Sequence, residues 1–114
     1  ARGGAVAAYG NSSVTLVDCV VFGNAVTDLG GAVFLEESRL VTGGTSFSDN
    51  TADAHGGAIH ARVNSAVTTQ DRSTGNVFQG NSAKSGGALY LDRNSNLTLS
   101  RGETSLSHNL GSVD

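Results

Sequence analysis

The sequence predicts an all-β fold, a right-handed parallel β-helix of about four coils with 26–30 residues each. Two short signatures recur in phase along the chain, and a period-two apolar pattern between them is typical of strands. Aromatic residues make up only 5% of the chain, which argues against a large globular core. A length of 114 residues leaves room for one continuous core, so we expect residues 1–114 to form a single β-helix segment.

The first signature is Gly-Gly-Ala followed by Val, Ile or Leu, and each copy marks the start of a coil. The copies begin at Gly3, Gly30, Gly56 and Gly86. Glycine permits a tight corner with positive φ at a place where a side chain would clash with the neighbouring coil. We therefore expect the second glycines of the later copies to form a structural column, Gly31, Gly57 and Gly87.

The second signature is an apolar residue three positions before an asparagine. It occurs as Val21 with Asn24, Phe47 with Asn50, Phe78 with Asn81, and Leu106 with Asn109. Stacked asparagines can bond to the backbone and to one another, which satisfies turn groups that water does not reach. The four asparagines are therefore predicted to form a ladder inside the coils, and Phe47 and Phe78 to stack as rings.

Each coil is predicted to hold three short strands, and equivalent strands of successive coils should pair in parallel. The first strand follows the glycines, the second lies in the middle of the coil, and the third carries the apolar residue before the asparagine. In the first strand, Val33 and Leu35 are predicted to point inward. No stretch has helical periodicity long enough to bury a helix.

The two signatures together resemble the repeats of chlamydial polymorphic outer membrane proteins (Pmp) and of related surface β-helices in other bacteria and in microbial eukaryotes. The clearest copies are residues 47–59 and 78–89, whereas Val21 and Leu106 replace the Phe in the first and last copies. The resemblance covers essentially the whole chain. It implies an extracellular solenoid, often adhesive, with no catalytic residues to carry over.

Composition limits the partners and cofactors. Seven Lys and Arg against ten Asp and Glu give a net charge of −3, which argues against a nucleic-acid-binding surface. No apolar run approaches the ~18 residues that span a membrane, so we expect no direct membrane insertion. Cys19 is the only cysteine, and the three histidines are dispersed. We therefore expect neither a disulfide within the chain, nor a metal site, nor a cofactor.

One candidate binding face lies on the outward side of the first strands. Phe34, His60 and Tyr90 occupy equivalent outward positions in three coils, where rings on a flat face can stack against sugars or receive a partner chain. Two other interpretations remain open. The rings can stabilise the sheet by pairing across strands, or another part of a larger protein can cover them.

The competing function is that of a carbohydrate-binding or carbohydrate-active domain of the pectin-lyase type, because such enzymes share the parallel β-helix. Their chemistry requires converging carboxylates, and Glu36 and Asp92 occupy equivalent positions two coils apart. Arg62 lies between them, so a rim of alternating charges is the favoured interpretation. The sequence thus favours a non-catalytic structural or adhesive module of a secreted or cell-surface protein.

Two further expectations concern glycans and the ends of the solenoid. Asn11 and Asn96 begin Asn-x-Ser/Thr sequons in the predicted turn between the first and second strands, so they are candidates for glycosylation in a secreted protein. Neither end shows a capping helix or a polar terminal coil. We expect the chain to be a piece of a longer solenoid, or further coils or other chains to cover its ends.

Overall fold

A computed structural model describes residues 2–69, 75–92, 94–98, 104–107 and 110–112. All regular elements of this described part are β-strands, and the strands lie in four parallel sheets. The predicted all-β parallel solenoid is thereby confirmed, while its right-handed sense stays a prediction. None of the described residues forms a helix with the length and apolar character needed to cross a membrane.

Each coil contributes four short strands, which define coils 1 to 4 in chain order. Coil 1 has β1 (Val6–Tyr9), β2 (Ser13–Val17), β3 (Val20–Phe22) and β4 (Ala25–Val26). Coil 2 has β5 (Val33–Glu36), β6 (Arg39–Gly43), β7 (Ser46–Ser48) and β8 (Thr51–Ala52). Coil 3 has β9 (Ile59–Arg62), β10 (Ala66–Thr69), β11 (Asn76–Gln79) and β12 (Ser82–Ser85). Coil 4 has β13 (Leu89–Leu91), β14 (Asn96–Thr98), β15 (Thr104–Ser107) and β16 (Leu110–Ser112).

The sheets stack equivalent strands of the four coils in order. Sheet 1 is β1-β5-β9-β13, sheet 2 is β2-β6-β10-β14, sheet 3 is β3-β7-β11-β15, and sheet 4 is β4-β8-β12-β16. In sheet 1 the register pairs Val33 with Ile59 and Ile59 with Leu89, so equivalent residues of successive coils lie one above another. The same residue-for-residue pairing joins Leu40 to Val67 in sheet 2.

The structure has four strands per coil where the sequence predicts three. The additional strand follows the ladder asparagine and is only two residues long in β4 and β8. Such a segment is too short to show a period-two pattern, so its pairing depends on the coil that stacks on it. The strand nonetheless forms sheet 4, which closes the fourth side of the coil.

The core lies inside the coils, where the inward side chains of sheets 1, 2 and 3 meet. Val33, Ile59, Leu40 and Phe47 are completely buried. The Phe47 ring stacks on Phe78 of the next coil with a centroid distance of 4.8 Å and an interplanar angle of 6°. Apolar burial of this kind is the main force that holds the stack together.

The two glycines of each pair have different roles. Gly56, the first of its pair, has a φ of 68°, in the left-handed region that other residues rarely adopt. Gly57, the second, packs against the coil that follows. A Cβ added there would collide with the backbone oxygen of Gly87 and with the backbone of Ser82. The pair therefore combines a reversed corner with a close approach between coils.

Candidate functional site

The ladder asparagines join successive coils through their side chains. Asn24 donates from both its backbone N–H and its Nδ2 to Asn50 Oδ1, each at 3.0 Å. Asn50 repeats the arrangement with Asn81 Oδ1, again with both distances at 3.0 Å. Asn50 and Asn81 are both fully buried. Asn109 lies outside the described residues.

A serine column, which sequence reasoning missed, joins the coils at the corner between sheets 1 and 2. The backbone N–H of Ser38 donates to Ser65 Oγ at 3.1 Å, and that of Ser65 donates to Ser95 Oγ at 3.2 Å. Ser12 donates to Ser38 Oγ in the same way. A signal was present, because each of these serines stands directly before the second strand of its coil.

A third polar column lies at the corner between sheets 2 and 3. The backbone N–H of Cys19 donates to Thr45 Oγ1 at 3.4 Å, and that of Thr45 donates to Asn76 Oδ1 at 3.2 Å. Cys19 Sγ contacts the Val17 carbonyl oxygen at 3.3 Å, as Thr45 Oγ1 contacts that of Gly43. The free cysteine therefore occupies a structural position in which other coils carry a hydroxyl or amide.

All three columns have the same direction. At each corner, a backbone N–H of one coil donates to a side-chain oxygen of the coil that follows it in the chain. Buried amides that water does not reach are thereby satisfied by the next coil. The coils are thus linked by directed polar contacts at three of the corners as well as by apolar packing.

The outward residues of sheet 1 form a continuous aromatic column. Its members are Tyr9, Phe34, His60 and Tyr90. Centroid distances between neighbouring rings are 5.6 Å from Tyr9 to Phe34, 5.5 Å from Phe34 to His60, and 4.9 Å from His60 to Tyr90. The structure therefore brings Phe34, His60 and Tyr90 together in one column of rings, and their role as a binding face stays a prediction.

The middle of this column is covered rather than open, which differs from the expected flat surface, whereas Tyr9 at one end is exposed and Tyr90 is half-buried. Phe34 is 0% and His60 2% exposed. Part of the cover comes from Arg2 and His55, each of which directly precedes a first glycine with a left-handed φ. The Arg2 guanidinium lies 5.2 Å from the Phe34 ring centre, and His55 stacks on Tyr90 at 4.3 Å.

His60 is the most perturbed titratable group among the described residues. Burial, followed by the proximity of His55, lowers the pKa of His60 from 6.5 to about 4. Neither of its ring nitrogens has a hydrogen-bond partner. The ring is therefore neutral in the folded protein at neutral pH and acts as an aromatic spacer between Phe34 and Tyr90.

The candidate carboxylates of the enzymatic alternative lie on the rim of sheet 1. Glu36 Oε1 is 3.4 Å from Arg62 Nε of the next coil, which makes the pair an ion pair between coils. The Asp92 backbone N–H donates to Ala61 at 2.9 Å, which continues the ladder of this sheet. Among the described residues, no group of three or more His, Cys, Asp or Glu is placed to hold a metal ion.

The two sequon asparagines occupy different positions. Asn11 is exposed at the corner between sheets 1 and 2, with a φ of 64°. Asn96 is also exposed, but it is the first residue of β14 and pairs with Ala66, so it lies in a strand and not in the predicted turn. Glycosylation at either residue remains a prediction.

Comparison with known proteins finds a repeat that is similar to two segments of this chain. The family model of the Chlamydia polymorphic membrane protein repeat matches residues 44–62 and 77–92. Each matched segment holds one Phe-x-x-Asn signature and the Gly-Gly-Ala that follows it. Together with the parallel solenoid, these matches confirm the resemblance to the Pmp-type repeat family. Neither the curated proteins nor the solved structures gave a match to the chain.

Proposed function

We propose that this chain is a non-catalytic β-solenoid module of a secreted or cell-surface protein, with a structural and adhesive role. Two matches to a repeat of polymorphic membrane proteins support a surface location. The observation that carries the structural part is the set of three directed polar columns, because they connect each coil to the next along the stack. A stack linked in this way is a rigid spacer.

The outer surface of coil 1 supports the adhesive part of the proposal. Val20 is 74% and Phe22 64% exposed on the outer side of sheet 3. The paired positions in coil 2 are Ser46 and Ser48. Exposed apolar side chains beside a polar surface are characteristic of contact surfaces.

Adhesion can be measured with inert beads that carry the purified chain. We expect these beads to adhere to surfaces coated with cell-surface glycoproteins more strongly than beads that carry an unrelated protein of similar charge. A Phe22→Ser variant should adhere less while retaining the circular dichroism spectrum of the parent chain. Equal adherence of the chain and the unrelated protein would refute the adhesive role.

The carbohydrate-active alternative makes a different prediction. The ion pair between Glu36 and Arg62 supports a structural role for this carboxylate, since a general acid or base must be free to exchange protons with substrate. Incubation with polygalacturonate and with neutral polysaccharides should yield no new reducing ends or unsaturated products. Cleavage that disappears in Glu36→Gln would replace the proposal with an enzymatic one.

We propose further that other coils, of the same protein or of another chain, cover the outer side of coil 1. Its inward residues Val6, Val14 and Val21 are half-buried, whereas their partners in coil 2 are completely buried. Stacking a further coil would remove this apolar surface from water. Sedimentation should therefore show self-association of the isolated chain, and a stable monomer at high concentration would contradict the proposal.

A further inference from the structure

A recess of about 250 Å³ opens at the corner between sheets 1 and 2. Coils 1, 2 and 3 all contribute to its lining. The residues that line it include Asn11, Ser13, Glu37, Arg39, Asn64 and Ala66. It is separate from the aromatic column and from the Glu36 to Arg62 ion pair.

The recess arises because the corner of coil 2 is shorter than those of its neighbours. Coil 1 places Gly10 and Asn11 between the end of β1 and the column serine, and coil 3 likewise has two residues there. Coil 2 has only Glu37. The short corner remains bonded on both sides, since the Asn11 N–H donates to the Glu37 oxygen at 2.7 Å and the Glu37 N–H donates to Val63 at 3.1 Å. It is therefore held by backbone hydrogen bonds between two longer corners.

The polar groups around the recess are available to a ligand. Within the described part of the chain, the side chains of Glu37 and Arg39 form neither a hydrogen bond nor an ion pair, and both are exposed. The same is true of the amide groups of Asn11 and Asn64. A carboxylate, a guanidinium and two amides thus offer hydrogen-bond donors and acceptors around one small space.

We propose that this recess binds a single uncharged sugar residue, an inference that rests on the proposed adhesive function and names its ligand class. The hydroxyl groups of a sugar donate and accept at once, which matches donors and acceptors arranged side by side. The charges of Glu37 and Arg39 offset each other, so neither an anionic nor a cationic ligand is favoured. Sites for drug-sized ligands have volumes of roughly 300–1,000 Å³. The smaller volume here fits one ring.

The test is a titration of the isotope-labelled chain with glucose, galactose and N-acetylglucosamine, followed by amide chemical shifts. Bacterial expression leaves Asn11 unglycosylated, so the recess stays open. We expect weak binding of at least one sugar, with shifts confined to residues 11–13, 37–39 and 64–66. Galacturonate, which carries a charge, should bind less well. Absence of shifts in this region with every neutral sugar would overturn the proposal.

Two variants and one control locate the site. Arg39→Gln should weaken binding about tenfold, because it removes a charged hydrogen-bond donor. Insertion of one asparagine after Glu37 gives coil 2 the corner length of its neighbours, and it should abolish binding while every lining side chain is retained. Asp53→Asn removes an exposed charge at a distant turn and should leave binding unchanged. Binding that survives the insertion would overturn the proposal.

The bead assay separates this inference from the adhesive function. If both hold, free sugar inhibits adherence and Arg39→Gln reduces it. Adherence that is insensitive to sugar and to Arg39→Gln, together with an absence of sugar-dependent shifts, overturns the sugar site and leaves the adhesive function standing. Sugar-dependent shifts without adherence support the site and refute the adhesive function.

Discussion

Coils 1 and 2 contain equivalent residues in different surroundings. Val33 and Phe47 of coil 2 are 0% exposed, whereas their partners Val6 and Val21 in coil 1 are only half-buried. The difference does not lie in residue type, since Val6 and Val33 are identical. It arises because coil 2 has a neighbour on each side. In a solenoid, burial is therefore a property of the stack, and equivalent substitutions should cost more in the central coils.

The largest difference in the free energy of unfolding is expected between alanine substitutions at two glycines. Gly57→Ala in coil 3 places a Cβ against the backbone of coil 4, which cannot move aside locally, so we expect a loss of more than about 4 kcal/mol in the free energy of unfolding. Gly23→Ala in coil 1 meets nothing within 4 Å. It should cost only about 1 kcal/mol through its left-handed φ of 66°. Urea denaturation of both variants measures the contrast, and equal midpoints would contradict it.

The next contrast compares inward apolar residues of sheet 3. Phe47→Ala removes a buried ring that stacks on Phe78, and a loss of about 3–4 kcal/mol is expected from transfer and cavity formation. Val21→Ala, at the paired position in coil 1, should cost about 1 kcal/mol because the side chain is half-buried and smaller. Thermal or urea melts distinguish them. A similar loss in both variants would show that coil 1 is as tightly packed as coil 2.

The asparagine column gives a third contrast. Asn50→Leu removes the acceptor of two bonds from Asn24 and the donor of a bond to Asn81, so we expect a loss of about 3 kcal/mol. Asn24→Leu removes one side-chain donor at a half-buried position, and a loss of about 1 kcal/mol is expected. Urea midpoints of the two variants should differ accordingly. An unchanged midpoint for Asn50→Leu would argue against a stabilising role of the column.

The smallest effect concerns pH and compares Phe34 of coil 2 with His60, its partner in coil 3. The pKa of His60 falls from 6.5 to about 4 on folding, so the unfolded chain takes up the proton first as pH decreases. The contribution of the neutral His60 ring to the free energy of unfolding is fully present above about pH 6.5. The free energy of unfolding should decrease by about 2 kcal/mol on acidification to about pH 4.5.

The matched variant for this prediction is His60→Phe, which gives coil 3 the residue that coil 2 already has. Urea denaturation across this pH range should show a smaller decrease in stability for the variant than for the parent chain. His55, Arg62 and Asp92, which interact electrostatically with His60, are unchanged in it. Parallel stability curves for the two proteins would exclude His60 as the source of the acid sensitivity.

Much of the fold could be predicted from sequence because the two signatures keep phase. Gly56 and Asn50 each recur at the length of one coil, and this spacing alone fixes which residues stack. The coil, the parallel pairing and the inward position of Phe47 follow from it. The fourth strand does not, since Thr51–Ala52 has no local pattern and forms only by pairing with its neighbours.

The outward surface was harder to predict because period-two alternation assigns a side without saying what covers it. Phe34 and His60 do lie on the outer side of sheet 1. Arg2 and His55, which come directly before the glycine pairs, nevertheless lie against the column. The recess follows from a single residue missing from the corner of coil 2, next to Glu37. A count of corner lengths would have revealed it, whereas apolar periodicity contains no information about corners.

The direction of the corner bonds bears on how such a chain changes length in evolution. The corner side-chain oxygens of each coil accept hydrogen bonds from the backbone N–H groups of the coil before it. Its own corner N–H groups donate to the coil after it. Duplication of a whole coil therefore preserves the corner hydrogen bonds, because the added coil contributes one set of acceptor oxygens and one set of donor N–H groups. Duplication of half a coil would leave donors or acceptors at a corner without their partners in the next coil. Gene rearrangements that add or remove complete turns are thus the ones that this architecture tolerates.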